Sequence, residues 1–141
     1  MILIEQQLLP EADNGYIYFA EMTIDGDKFL KVGYSRNPLK RFDTDEFDEV
    51  DAHVRFINIV PMQEWMYDFA DFTPSNDYWE LALHKVMQNT VGSYQPEHDF
   101  SGKTECYLLD TVNYKAAIDY LEEQLSFMAP PKDWYIPYSL D

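Results

Sequence analysis

Gly15-Tyr16-Ile17-Tyr18 opens a run of aromatic and β-branched residues that continues to Ile24, and Lys31-Val32-Gly33-Tyr34-Ser35 closes a second such run. Asp25-Gly26 lies between them. These residue types favour extended backbone. Asp-Gly is a strong two-residue hairpin signal, because glycine takes a positive φ without steric cost. Residues 15–24 and 27–34 therefore read as paired antiparallel strands. Arg36-Asn37-Pro38-Leu39-Lys40-Arg41 follows at once. Pro38 suits the first turn of a helix, capped by Ser35 or Asn37, and that helix is expected to run to about Phe47.

Outward from the hairpin, His53 to Val60 reads as a third strand. Pro61 opens a stretch with Met62, Trp65, Met66 and Phe69 at helical spacing, which predicts a short helix. Asn76 or Asp77 can cap a further helix, with Glu80 placed to complete a capping box from Asp77. Its apolar stripe is Trp79, Leu83, Val86 and Met87, and Gly92 is its expected stop. Residues 92–103 read as loop and 104–109 as a short extended segment. A last helix is predicted from Val112 to Met128, ended by Pro130-Pro131, with the tail Trp134 to Tyr138 packed on the surface. The sum is one α+β domain over residues 1–141: a small antiparallel three-stranded sheet flanked by helices.

The chain carries a formal charge of -16, and its charge is unevenly placed. Lys28, Lys31, Arg36, Lys40 and Arg41 are five of the ten basic residues, with no acid between Lys28 and Arg41. Asp43, Asp45, Glu46, Asp48, Glu49 and Asp51 come directly after. Affinity for nucleic acid rests largely on neutralising phosphates, so this balance argues against a broad nucleic-acid footprint. It leaves room for a small local phosphate site. With 46% hydrophobic and 16% aromatic residues the chain can still fill a core. No apolar run approaches the roughly 20 residues of a membrane span, and no signal peptide is read. With a single cysteine, Cys106, the expected setting is a reducing cytoplasm, and no membrane association is expected.

Taken in this order and spacing, Tyr16-Ile17-Tyr18 and Lys31-Val32-Gly33, with Arg41 and with Glu105 in Thr104-Glu105-Cys106-Tyr107, resemble the GIY-YIG endonuclease domain. The likeness is closer to a branch common in bacteriophages, whose second motif reads Lys-Ile-Gly. That branch also carries a helical glutamate and histidine four residues apart, here Glu80 and His84. The resemblance covers about residues 14–110, leaving 111–141 as a C-terminal helix and tail. It implies one divalent ion, Mg2+ or Mn2+, held by Glu105. It also implies Arg41 on the non-bridging phosphate oxygens and Tyr18 as general base toward the attacking water. Tyr16, Lys31 and His84 complete the expected catalytic set. Gly33, Tyr34, Ser35, Arg36 and Lys40 form the expected substrate-binding rim.

A free tyrosine has a pKa of about 10 and needs a cation beside it to serve as a base, and Lys31 is of the right type. Where the wider family carries a second tyrosine, this chain carries that lysine, and Tyr34 is a partial substitute. His53 and His98 are expected to be structural or exposed, Cys106 buried and inert, and residues 43–51 a solvated face. The reading is a metal-dependent endonuclease hydrolysing DNA, phage-derived and working in the host cytoplasm. The alternative is an acidic DNA mimic on the same fold that binds a host or phage protein without catalysis. A third option, an interaction segment at Trp65 to Phe72, ranks last, since apolar residues at that spacing are more often core.

Overall fold

The computed structural model describes residues 1–67, 76–90, 93–109 and 111–126. The Asp25-Gly26 turn forms as its chemistry dictates, with φ of 49° and 85° at its two residues. It joins β2 (Tyr16–Ile24) to β3 (Asp27–Ser35), which pair antiparallel along their whole length. β4 (Ala52–Pro61) pairs antiparallel with the other edge of β2. These are the three strands the sequence predicts. The sheet has five, in the order β1-β4-β2-β3-β5. The three-stranded expectation therefore falls short by both edges. β1 (Ile2–Ile4) lies parallel to β4, and β5 (Cys106–Tyr107) lies antiparallel to β3. Strands of two or three residues give almost no alternation signal, so β1 did not stand out, while β5 lies within the short extended segment expected at 104–109.

One irregularity decides which side chains share a face. Phe19 pairs with Asn58 and Ala20 with Phe56, so Ile57 is an extra residue on β4. A bulge of this kind shifts the alternation by one. Phe56 and Ile59 consequently lie on the same side as Tyr18, while Asn58 lies opposite and donates from Nδ2 to the Tyr114 hydroxyl at 2.9 Å.

Two cores result. On one face Ile17, Phe19, Leu30 and Val32 pack with α1 (Asn76–Thr90) and α2 (Thr111–Ser126). Trp79, Leu83 and Met87 of α1 are buried there, as are Tyr114, Ala117, Ile118, Leu121 and Leu125 of α2, as their helical spacing predicts. The other face has no helix among the described residues. Tyr18, Ala20, Met22 and Phe29 are covered instead by Phe42, Phe47 and Phe100 from the connecting segments.

That covering explains why the helix expected from Pro38 to Phe47 does not form. Two short 3-10 turns, Pro38–Lys40 and Asp45–Phe47, stand in its place, separated by an extended Thr44. In an α-helix residues five apart point roughly 140° away from each other. Phe42 and Phe47 both face the sheet, which a continuous helix forbids. No side chain caps the first turn; the Ser35 hydroxyl accepts from the Asn37 N–H at 3.0 Å and shapes the entry to it. Where a helix is expected after Pro61, the described residues form the 3-10 turn Glu64–Tyr67. Phe69, Gly92, Met128, Pro130, Pro131 and the tail 134–138 lie outside the described residues, as do the side chains of Asn76 and Asp77 on which the predicted capping box rests. Among the described residues no helix is long and apolar enough to cross a membrane.

The loop-covered face behaves as a true core if this packing holds. Phe47 is buried against the rings of Phe42, His98 and Phe100. Phe47→Ala should cost about 3–5 kcal/mol in urea unfolding, where an exposed loop residue costs about 0.5 or less.

Candidate functional site

Tyr18 and Gly33 are cross-strand partners, as are Lys31 with both Ala20 and Cys106. Paired residues share a face, so Tyr18, Lys31 and Gly33 stand together beside the β5 edge. Lys31 is 1% exposed, and its ammonium needs partners at that depth. It donates to the Val32 carbonyl at 3.0 Å and pairs with Glu105 Oε1 at 3.6 Å. It also lies 5.6 Å from the centre of the Tyr18 ring. The ring is held from two sides by Phe42 and Phe56, each edge-on at 5.8 Å.

Glycine is required at two positions here. A Cβ on Gly33 would lie 2.5 Å from the Tyr18 hydroxyl and 3.1 Å from Lys31 Nζ. The space a side chain would fill is the space the two functional groups occupy. Gly102, with a φ of 90°, does the same from the opposite loop: a Cβ there would lie 2.8 Å from Lys31 Cε and 3.6 Å from Arg41 Nη2. Arg41 thus reaches the cluster from the first 3-10 turn. The Gly102 loop is pinned by Glu46, whose Oε1 accepts from the Ser101 N–H at 2.8 Å and the Ser101 hydroxyl at 2.9 Å.

Glu105 faces two ways. Its Oε2 accepts from His84 Nε2 at 2.9 Å, and the same nitrogen lies 3.6 Å from Glu80 Oε1. His84 Nδ1 is hydrogen-bonded to the Tyr107 hydroxyl at 2.6 Å. Glu80, His84 and Glu105 offer three ligand atoms that all lie within 4.8 Å of one another, a group able to hold a metal ion. Two carboxylates and one imidazole suit a divalent cation, so the residues fit the ion that the resemblance implies.

Electrostatics sort these groups by role. Burial would raise Glu105, but hydrogen bonds from His84 and Glu80 and the charge of Lys31 hold it at about 2. It is ionised across the physiological range. For Glu80 the His84 hydrogen bond lowers the value, yet burial and the nearby Glu105 outweigh it and push the group up. Burial lowers His84, but hydrogen bonds to Glu105 and Glu80 more than offset this and raise it. Burial also lowers Lys31, against the pull of Glu105. Burial pushes the Tyr18 phenol well above its ordinary range. The cation that opposes this rise is Arg41, whereas Lys31, expected in that role, directs its charge to Glu105. Cys106 is buried and its thiol is pushed up to about 12 by that burial, as its inert role requires.

The remaining expected site residues lie elsewhere. The Tyr16 hydroxyl donates to the Pro10 carbonyl at 2.5 Å, which ties down the N-terminal segment. Tyr34 packs on the helical face, opposite Tyr18, and donates to the Asn14 carbonyl at 2.5 Å, so it does not stand in for a motif tyrosine beside Lys31. Arg36 is exposed and acts on Tyr34 and Tyr67. Lys40 is exposed, and Lys28 pairs with Glu21 at 3.7 Å. Of five clustered basic residues, Lys31 and Arg41 enter the site. His53 lies 3.3 Å from Glu5, and His98 donates from Nε2 to the Glu46 carbonyl at 2.8 Å. Both are structural. The sequence assigns no role to Gly102, although Ser101-Gly102 marks a turn just before Glu105, and Tyr107 stands in the Glu105 motif without a role of its own.

Two outcomes follow from this geometry. Gly33→Ala forces a fixed Tyr18 ring to move and should cost about 1–3 kcal/mol of stability by overpacking, read from the urea midpoint. The second concerns pH in EDTA. His84 is raised in the fold, so its contribution is complete below its ordinary value of 6.5 and is lost as pH rises through the folded value. Glu105 is lowered, so its contribution is complete above 4.5 and is lost as pH falls toward about 2. Glu80, being raised, adds to the loss on the alkaline side. Between pH 5 and 8 the wild-type urea midpoint should therefore fall more than that of His84→Gln. Equal slopes would mean that His84 is not held by the carboxylates.

No protein-family model, curated protein or solved structure matches this chain, which leaves the clustered side chains themselves as the ground for assigning it a chemistry.

Proposed function

We propose that the chain is a GIY-YIG-type, metal-dependent phosphodiester hydrolase acting on DNA. The observation that carries this reading is the meeting of Tyr18, Lys31, Arg41 and Glu105 in one place, from four separate segments. Pairing a buried lysine needs one carboxylate; it does not call for Arg41 and the Tyr18 hydroxyl at the same place. The exposed carboxylates of residues 43–49 would serve a DNA mimic as well, but a mimic has no use for this inner cluster.

Each residue then has a task. Arg41 binds the non-bridging oxygens of the scissile phosphate, where its fork of donors neutralises developing charge. The Tyr18 hydroxyl, buried against the Gly33 backbone beside Lys31 Nζ, is the group assigned to the attacking water. Burial keeps that phenol protonated in the resting protein, so the base role needs positive charge beside it, and Arg41 is placed to supply it. Lys31 keeps Glu105 ionised and fixed in direction. A bound Mg2+ or Mn2+ supplies Lewis-acid polarisation of the phosphate and stabilises the leaving oxygen. Gly33 and Ser35 shape the floor and the turn leading to Arg41, rather than contacting substrate directly.

Purified protein incubated with supercoiled plasmid and Mg2+ or Mn2+ should nick it. Tyr18→Phe and Arg41→Ala should each lower the rate by about 10²-fold or more, and Glu105→Ala should abolish it. Absence of cleavage with either metal on double- and single-stranded DNA would end the enzyme reading.

A further inference from the structure

Building on that hydrolase reading, we infer that the divalent ion is held by three protein donors, Glu80 Oε1, His84 Nε2 and Glu105 Oε2, and that this mixed nitrogen–oxygen set selects a first-row transition ion such as Mn2+ over Mg2+. The sequence resemblance implies only Glu105 as ligand. The geometry adds a helix to the site.

Two of the three donor separations suit a shared ion. His84 Nε2 lies 2.9 Å from Glu105 Oε2 and 3.6 Å from Glu80 Oε1. Donors at these separations, each about 2.1 Å from a common ion, subtend angles of about 90° and about 120°. Both are ordinary for adjacent ligands around one metal. The other oxygen of Glu105, Oε1, faces Lys31, so the oxygen turned to His84 is the one left for an ion.

The imidazole is aimed. His84 is buried, and its Nδ1 is fixed by the Tyr107 hydroxyl at 2.6 Å, while the ring stacks on that of Tyr107. A hydrogen bond at one ring nitrogen sets the other as the ligand atom, which is how metal-binding histidines are held. Tyr107 is thus a positioning residue. Two carboxylates converge on the same nitrogen, and a doubly charged ion there would replace the proton that Glu80 shares with Glu105. Glu80 and Glu105 keep side-chain exposures of 23% and 31%, so an ion can enter and water can fill its remaining positions.

Selectivity follows from the donors. Mg2+ prefers oxygen ligands and retains its waters, whereas imidazole suits first-row transition ions. The ion would also join α1 to the turn Lys103–Glu105 that leads into β5.

Mn2+ and Mg2+ are the probes. Mn2+ binding to metal-free protein is read by the loss of the free-ion electron paramagnetic resonance signal, with Mg2+ as competitor, and by the thermal shift on Mn2+ addition. One Mn2+ per chain is expected, with Mg2+ competing only at 10-fold or greater excess. His84→Ala should weaken Mn2+ binding by 100-fold or more and Glu80→Gln by 10-fold or more. Tyr107→Phe keeps the ring and removes the hydroxyl, and should weaken it about 10-fold. Unchanged Mn2+ affinity in a folded Glu80→Gln or His84→Ala protein, or equal affinity for Mg2+, overturns the three-donor site. Plasmid cleavage is scored separately. Tight, His84-dependent Mn2+ binding without nicking keeps the metal site and removes the nuclease. Nicking that survives Glu80→Gln with Mg2+ keeps the nuclease and removes the three-donor site.

Discussion

A lysine ammonium enclosed at the edge of a sheet must be met by an anion, and most of this structure's unusual features serve that requirement. Lys31 is almost fully buried on β3, and burial alone favours its neutral form. Glu105 answers it from the 3-10 turn Lys103–Glu105 that leads into β5. The strand is only two residues long, yet it is what fixes the distance between the charges, because Cys106 pairs directly with Lys31. Removing one partner of such a pair leaves the other charge buried, which typically costs several kcal/mol. The two glycines that clear space for Lys31 sit at the sites where any side chain would break this pairing.

The same constraint accounts for the neighbours. A carboxylate so strongly held as an anion becomes the acceptor for His84, and His84 in turn draws in Glu80 one helical turn away. Charge density is thereby passed from the sheet edge to α1 through one imidazole. Tyr18 is influenced chiefly by its burial, and the charge that opposes that effect is Arg41, while Lys31 lies over its ring. The sheet supplies the lysine and tyrosine, the loop over its second face supplies the arginine, and the turn before the edge strand supplies the glutamate.

Much of this was legible in order but not in space. The hairpin follows from Asp25-Gly26 and two alternating runs, because local chemistry alone determines it. The helix α1 follows from an apolar stripe of which the packing uses Trp79, Leu83 and Met87, with Val86 only partly buried. The helix after Pro38 failed because helical propensity is a weak prior, and two phenylalanines five residues apart had to cover one sheet face. Tyr16 and Tyr34 were misplaced for a related reason: strand period assigns a face, but the end of a long side chain is claimed by whichever backbone carbonyl it reaches, here Pro10 and Asn14. Glu80 and His84 were visible as a helical pair. Their tie to Glu105 depends on a contact across 21 residues, which no local pattern records.

The chain's acidity bears on how such a site would work. With a formal charge of -16, the surface repels a polyanion, while Lys31 and Arg41 are opposed within the cluster by Glu80 and Glu105. Before any ion binds, then, the site offers a phosphate no net attraction beyond Arg41 itself. The same field concentrates divalent cations and favours their capture between the carboxylates. Positive charge reaches the cluster in this sequence on the proposed reading: cation first, nucleic acid second. A basic protein could hold DNA loosely everywhere and find its metal later, but an acidic one gains affinity for phosphate only where the ion sits. On that reading contact with nucleic acid is confined to the reacting phosphate and its nearest neighbours, and the carboxylate-rich segment after Arg41, exposed at Asp43, Asp45, Asp48 and Glu49, would keep the rest of the polymer away.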